Sequence, residues 1–391
     1  MLRSGPARLS ASQYMFSGLI KGFAQCGDAA VTVLSGLRLR GEGGLYRKRE
    51  TEREHGFEYI YPSEIKISGL HFLWLWLGIF IETARWCAKN KGKESFVLCD
   101  ALLSCAVPAR LAAKLFKVPT VGYVTDLPQL MKEIDEGRYG LKKRLYAGLL
   151  SRMAERDIVK YDRYIALTEG LNREANPNRR PHLIVECVME ALPGDETAER
   201  ADKKDFVVMF AGKTNRLFGM ELLLEAIPLI KREDISFHIY GSGNYVEQIK
   251  SAAERDRRIV YGGVLPRSEI LAREREADLL INLRPSGYSF AVYSFPSKVA
   301  EYMASGTPVL TTRLPGIPEE YGPYLWFLDR EEPECVARAI EEIMDTPKEE
   351  RLRRGRGARR FIEENKNPKR QAARILSFLT GKELGEAVWS I

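Results

Sequence analysis

The sequence predicts an α/β protein of two doubly wound domains, each a parallel sheet with helices on both faces, facing one another across a ligand cleft. Three observations lead there. From Phe206 onward, short runs rich in β-branched and aromatic residues (FVVMF, ISFHIYG, RIVYGG, DLLINL, PVLTT and YLWFL) alternate with helical stretches such as MELLLEAIPLI and SKVAEYMA. The runs are apolar throughout rather than alternately apolar and polar, as strands covered on both faces must be. The chain's 391 residues, 45% of them apolar, exceed one ordinary core and suffice for two of roughly 150–200 residues each.

The first half follows the same logic less regularly. There AAVTVLSG, FVLCDAL, PTVGYVT and RYIALTE read as strands, and Ser17 to Cys26 and Ala106 to Phe116 as helices. A doubly wound domain opens on a buried strand, and nothing before Ser12 reads as one. Either the first strand is lacking or the natural frame starts upstream of Met1. The polar stretch ALPGDETAERADKK, Ala191 to Lys204, carries Pro and Gly and no apolar period, which marks an interdomain linker. The expected domains are 1–195 and 196–366, with 367–391 as an amphipathic helix crossing back onto the first.

Sixty cationic and 53 anionic side chains are mixed along the chain, leaving a net charge of +7. That excess favours an anionic ligand or a membrane surface. Nucleic acid is excluded as a partner because no basic stretch is interleaved with stacking aromatics. Six cysteines form no C-x-x-C pair, as expected in a reducing cytoplasm, and four scattered histidines have no metal-ligand spacing, so metal-free chemistry is expected. The amino terminus lacks the apolar stretch of a secretory signal. The run GLHFLWLWLGIFI, residues 69–81, would reach about 20 Å as a helix against a hydrocarbon core of about 30 Å, so it does not span. Two readings stay open for it. Its tryptophans and the flanking Lys66, Arg85 and Lys89 suit a helix lying in a membrane interface, and its apolar content equally suits a core helix.

The segment YSFPSKVAEYMASG, Tyr293 to Gly306, carries the chemistry. A buried strand (Asp278 to Leu283) precedes it, Pro296 stands at the first helical position, Glu301 follows, and Gly306 closes it. A strand that leads into such a helix leaves backbone N–H groups unpaired, here those of Ser297 and Lys298, and with the helix dipole they attract phosphate. We read the segment as a diphosphate cradle. Gly241 and Gly243 follow a strand, where a backbone must approach a ligand closely. A nicotinamide-binding fingerprint would need glycine at 246 and an acid ending the next strand, but Val246 and Tyr261 stand there. AGKT, ending at Thr214, mimics the end of a P-loop, but Val207 replaces its first glycine.

In this order, FAGKTNRLFGMELLLEA, HIYGSGN, RIVYGGVLPRSEI, DLLINLRPS and YSFPSKVAEYMASGTPVLTTRLPGIPEEY resemble the donor-binding half of glycosyltransferase family 4, the retaining GT-B enzymes, in its bacterial polysaccharide-forming branch. GLIKGFAQCGDAAVTVLSGL, VPTVGYVTDLP and YDRYIALTEGLN resemble the acceptor half more loosely. The resemblance implies a GT-B fold of two Rossmann-like domains. It implies a UDP- or GDP-linked sugar in the second domain and a glycan or lipid-linked acceptor in the first, with no cofactor or metal. It also implies retaining transfer in cell-surface polysaccharide synthesis, in the cytoplasm or at the inner face of its membrane.

The family's Glu-x7-Glu element maps its second glutamate onto Glu301, as ribose ligand, and its first onto Tyr293. The family's phosphate-binding Arg maps onto Lys213 and its Lys onto Phe218, for which Arg216 would substitute. Gly212, Arg284 and the run Ser294, Phe295, Pro296, Ser297 and Lys298 complete the donor site, and Gly263 and Val264 lie where the family places the nucleobase. Gly5, in the loop Ser4 to Ser12, corresponds to the first glycine-rich loop. Asp126, in TDLP, either orients or deprotonates the acceptor or closes an Asx turn before Pro128. Glu169 is either a cleft residue or a helix N-terminal acid. The departures at Tyr293 and Phe218 leave a second function open, a non-catalytic nucleotide-sugar-binding or scaffold protein of the same fold.

Overall fold

The computed structural model describes residues 11–27, 30–35, 45–54, 56–65, 67, 70–127, 141–190 and 205–382. The proposed linker at 191–204, the loop around Gly5 and the residues beyond 382 lie outside these. Two compact units form, Met1–Val188 with Pro368–Ile391, and Met189–Asn367.

In the first unit the chain runs α1 (Ala11–Cys26), β1 (Thr32–Leu34), β2 (Tyr46–Arg47), β3 (Glu50–Glu54), β4 (Phe57–Tyr61), β5 (Glu64–Ile65), α2 (Leu70–Lys89), β6 (Val97–Asp100), α3 (Ala106–Leu115), β7 (Thr120–Val124), α4 (Leu141–Asp157), β8 (Arg163–Ala166), α5 (Glu169–Ala175) and β9 (His182–Ile184). Strands β6, β7, β8 and β9 make a parallel four-stranded sheet in that order. The sequence places AAVTVLSG in this sheet, and here the structure differs. Strand β1 pairs in parallel with β4, which pairs antiparallel with β3, forming a separate three-stranded sheet, while β2 and β5 pair apart. The β3–β4 hairpin went unread because ETERE is polar at every position and offers no apolar period.

Helix α3 covers one face of the four-stranded sheet, and a buried pair ties it to the end of α4. Arg110 Nε donates to both carboxylate oxygens of Asp157 at 2.9 and 3.0 Å. Helix α2 was expected over 69–81 and continues to Lys89, because TARWCAK carries no breaker.

The second unit comprises β10 (Phe206–Lys213), α6 (Met220–Ala226), β11 (Ile235–Ser242), α7 (Val246–Arg255), β12 (Ile259–Gly263), α8 (Arg267–Glu276), β13 (Leu279–Asn282), α9 (Ser297–Ser305), β14 (Val309–Thr311), β15 (Trp326–Phe327), α10 (Pro333–Asp345) and α11 (Lys348–Asn365). All six strands are parallel, in the order β12-β11-β10-β13-β14-β15. One face buries Val208, Phe210, Phe237, Ile239 and Ile281 against Met220 and Leu223 of α6 and Val336 and Ile340 of α10. On the other, the fully buried Tyr302 of α9 accepts from Ala211 N at 2.9 Å and donates to Ala211 O at 3.1 Å, which fixes α9 against the central strand.

Winding runs outward from β10 through β11 to β12, then restarts on its other side at β13. Loops after β10 and β13 therefore leave toward opposite faces, and such a reversal opens a crevice at the carboxyl edge of a sheet. The last helix, α12 (Pro368–Thr380), belongs to the first unit. There Ala372, Ile375 and Leu379 join Leu19 and Phe23 of α1 over Val121 and Tyr123.

Candidate functional site

The second unit collects most of the expected residues on the carboxyl edge of its sheet, around the reversal between β10 and β13. Pro296 caps α9 rather than opening it, with φ −77° and ψ 91°, and Ser297 is the first helical residue. The helix thus starts one residue later than the sequence suggests. Its consequence for binding is unchanged, because the N–H groups of Ser297 and Lys298 still have no intrahelical acceptor at the first two positions of a nine-residue helix. Phe295 and Pro296 are buried beneath them and Ser297 is exposed. Tyr293, half-buried, ends a 3-10 turn over Ser289–Tyr293.

Glu301 lies one turn into α9 and is 6% exposed. It forms a close ion pair with Lys298 Nζ and a second with Arg267 Nη1 at 3.0 Å. Burial pushes its carboxyl up, and Lys298 and Arg267 outweigh burial to hold it below the usual carboxylate range. Beside it stands a residue that the sequence reading missed. Glu274 of α8 has no solvent exposure, and its Oε1 is 3.5 Å from Lys298 Nζ. Among the described residues its Oε2 has no hydrogen-bond partner. Burial, partly opposed by Lys298 and reinforced by Glu301, pushes its carboxyl up to about 8. Burial thus favours the neutral form of Glu274, while Glu301 is held ionised between two cations. A net positive charge beside a helix start suits an anionic ligand. The run AREREAD reads as a solvated charge face, but Glu274 stands four and three residues after Ile270 and Leu271, on the core-facing phase of α8.

Arg284, just past β13, donates from Nη1 to Ser294 Oγ at 3.0 Å. Its guanidinium lies 4.8 Å from the Phe290 ring centre and 5.7 Å from that of Phe218. Phe218 is thus a wall against which a cation is held, in the loop where the resemblance places a lysine. Lys213, at the end of β10, is exposed, and no carboxylate pairs with it among the described residues. Arg216 is placed otherwise than expected. Its Nε pairs with Glu221 at 2.6 Å, and it lines a cavity of about 330 Å³ with Glu221, Glu225 and Glu331. Its charge is answered locally by acids, which is a poor arrangement for receiving phosphate.

The glycines divide by cause. At Gly241, φ is +133° and an added Cβ would stand 1.7 Å from Gly212 O; at Gly243 it would stand 2.1 Å from Thr214 O. Both are therefore required by the packing of one strand-end loop on another, which differs from the expected approach to a ligand. Gly263 has φ +65° with open space around it, and Val264 beside it is 46% exposed. Those two remain available to a flat ring.

In the first unit, Asp126 follows β7 and its Oδ1 accepts from Leu127 N at 2.8 Å, a local turn contact. Glu169 opens α5 behind the N-cap Thr168 and lies 3.5 Å from His182 Nε2. Asp100, at the carboxyl end of β6, was not anticipated. Burial pushes its carboxyl up to about 6, opposed by a hydrogen bond from Leu102 N.

Comparison with known proteins agrees with this picture at two levels. Residues 205–346 match the family model for glycosyl transferases group 1. Over 147 residues the chain is 33% identical to a probable glycosyltransferase, WbjE, of Pseudomonas aeruginosa; the match covers 36% of each protein, about a third of the relative's length. Among solved structures, a sucrose-phosphate synthase from Thermosynechococcus elongatus superposes with a TM-score of 0.61 at 13% identity, covering 94% of this chain and 92% of that one. A glycosyltransferase from Rickettsia africae gives 0.60 at 13% identity over 93% and 95%. Anabaena HepE, solved in complex with UDP, gives 0.56 at 15% identity over 83% and 87%. The chain has the two-unit Rossmann-like α/β fold of the GT-B glycosyltransferases, and the stretch matched by the group 1 family model is the one that builds the carboxyl-edge site of its second unit.

Proposed function

We propose that the chain is a retaining glycosyltransferase that moves a sugar from a nucleotide-sugar donor to a glycan or lipid-linked acceptor in cell-surface polysaccharide synthesis, at the inner face of the cytoplasmic membrane. One observation carries the reading. The open helix start at Ser297 and Lys298 shares an edge of the sheet with Arg284, Lys213 and the ion-paired Glu301.

As the bond between sugar and diphosphate breaks, negative charge grows on the leaving phosphate. Donors fixed in advance stabilise that charge without reorganising. In this reading the Ser297 and Lys298 N–H groups and Arg284 hold the diphosphate, with Lys213 approaching from β10. Fixed protein cations supply this stabilisation in the reading, with no metal called for. Glu301 accepts from the ribose hydroxyls, and Gly263 and Val264 flank the base. The first unit holds the acceptor. A donor phosphate oxygen on the front face of the sugar takes the acceptor proton, so Asp126 is not needed as a base.

The complexes of HepE with UDP and with UDP-glucose make uridine donors the first to try. Thermal-shift measurements with free UDP and GDP, followed by hydrolysis and transfer assays over UDP-, GDP- and ADP-sugars, test the proposal. Inactivity toward all of them overturns it. The pairing of Arg216 with Glu221 and the phenylalanine at 218 favour a second reading, a nucleotide-sugar-binding protein without catalysis. Nucleotide binding that survives Glu301→Ala, with no turnover, would select it.

A further inference from the structure

Helix α2 resolves the two readings of its sequence by using both sides. Ile79, Glu82, Thr83 and Cys87 face inward and are buried. That side is anchored: Trp76 Nε1 donates to Ser104 O at 3.3 Å, and an added Cβ on Gly78 would stand 2.9 Å from Pro62. Leu70, Leu73, Trp74, Leu77 and Ile81 are each between 37% and 63% exposed. At about 100° per residue these five fall within a stripe about 100° wide, continuous for three turns. Leu45, Tyr46 and Ile67, also exposed, add to the apolar surface, and the Tyr46 ring meets Trp74 edge-on at 6.4 Å. An anchored inner face makes this exposure a property of a well-packed helix, and exposed apolar patches of this kind mark interaction sites.

We propose that the outer face of α2, with Tyr46 and Leu45, docks into the headgroup boundary of a membrane rich in anionic lipid. Charge selects this occupant. The stripe runs into Arg85 and Lys89, both exposed, at the carboxyl end of the helix. The sole acid of α2, Glu82, is 6% exposed and is met by Arg49 at 2.9 Å and Arg85 at 2.7 Å, so this end is net cationic. A bilayer with anionic headgroups satisfies both the stripe and the cations, whereas a second copy of this face satisfies only the stripe. Trp74 offers an amphipathic ring at the boundary, its Nε1 donating to Ser63 Oγ at 3.1 Å. No helix among the described residues is long and apolar enough to cross a membrane. The proposal stands on the first unit alone and is independent of what the second unit binds.

The test is flotation of the full chain with vesicles of phosphatidylcholine alone and of phosphatidylcholine with phosphatidylglycerol. Wild type is expected to float with the anionic vesicles, more weakly at high salt. Leu73→Glu and Leu77→Glu, at exposed positions where folding should be retained and is checked by circular dichroism, are expected to weaken partition about tenfold or more each. Absence of wild-type partition, or variants that float like wild type, overturns the proposal. So does a concentration-dependent dimer, seen by light scattering and abolished by the same variants, in a protein that ignores vesicles. A thermal shift with UDP, unchanged in both variants, separates this result from the donor site.

Discussion

Replacing Glu274 by glutamine isolates the buried acid beneath the candidate ribose ligand. Glu274 has no solvent exposure, and its carboxyl is pushed up to about 8, chiefly by burial. An unfolded glutamate releases its proton near 4.3, so between there and about 8 the native state holds one proton more than the unfolded state. Stability must then fall as pH rises through that window, by up to about 1.4 kcal/mol per pH unit. Below the unfolded value the penalty is absent, and above the folded value it is complete. Between about pH 6 and pH 8, with the slope tapering as the carboxyl begins to ionise, the loss comes to about 2 kcal/mol. For a unit of this size that corresponds to about 4–8 °C in Tm.

Glutamine has nearly the shape of the protonated acid, keeps an oxygen for Lys298 and cannot ionise. Differential scanning fluorimetry of both proteins across this range should give a wild type already below Glu274→Gln at about pH 6, because the penalty sets in above the unfolded value, and a gap that widens toward pH 8. Glu301 does not mask the effect, because its depressed carboxyl contributes stability that is lost only as pH falls through its own acidic range. Contributions from the other titrating groups cancel between the two proteins. Parallel curves, or a wild type that gains on the variant with rising pH, would show Glu274 already ionised against Lys298 and refute the reasoning.

Glu301→Gln should weaken nucleotide binding by about ten- to a hundredfold in isothermal calorimetry, since a charged acceptor contributes about 1.5–3 kcal/mol; an unchanged Kd removes the ribose role. Arg284→Ala should lower kcat by about a hundredfold or more with a smaller effect on KM, while Ser294→Ala, which only unfastens the guanidinium, should cost about tenfold. Turnover unaffected by either change would place the phosphate elsewhere. Gly241→Ala, with a Cβ 1.7 Å from Gly212 O, should destabilise by about 3 kcal/mol or more, whereas Gly263→Ala, left-handed but in open space, should cost only about 1–2 kcal/mol. Equal losses in chemical denaturation would contradict the packing account.

The second unit was legible because each of its elements declares itself locally. Strands covered on both faces read as unbroken apolar runs such as FVVMF and DLLINL, and the glycines and proline between them fix where the chain turns. In the first unit that signal weakens. Strand β3 is ETERE, and β1 holds only three residues, so nothing in the local pattern says that they share a sheet with β4 and not with β6. Sheet partnership is a tertiary fact, decided by which edges meet. Site residues divide in the same way. Glu301 and the open N–H groups follow from helix phase and from the geometry of a helix start, both readable in one segment. Arg267, Glu274 and Lys298 meet only because α8 and α9 are neighbours, and a single sequence carries no trace of a contact spanning 24 residues, such as that of Glu274 with Lys298.

That meeting also bears on how the site would work. Glu301 can accept from a ribose only if its lone pairs are not wholly taken by Lys298 and Arg267. Were Glu274 ionised, Lys298 would be divided between two carboxylates and the cluster would be neutral, offering a diphosphate nothing beyond the helix start. With Glu274 protonated, Lys298 is committed to Glu301, while Arg267, 45% exposed at the first turn of α8, holds a half-exposed pair that an incoming anion can share. Arg267 and Lys298 therefore have different duties despite sharing one carboxylate. Removing Arg267 as Arg267→Ala should weaken diphosphate binding at a smaller cost in stability than removing Lys298, since Arg267 is half in solvent and Glu301 keeps its contact with Lys298. Removing Lys298 as Lys298→Ala leaves the buried Glu301 with only the half-exposed Arg267, and should cost about 3 kcal/mol of stability before any effect on binding is seen. Calorimetric Kd and Tm measured on both variants discriminate: if Arg267→Ala unfolds the unit as readily as Lys298→Ala, the division of roles is wrong.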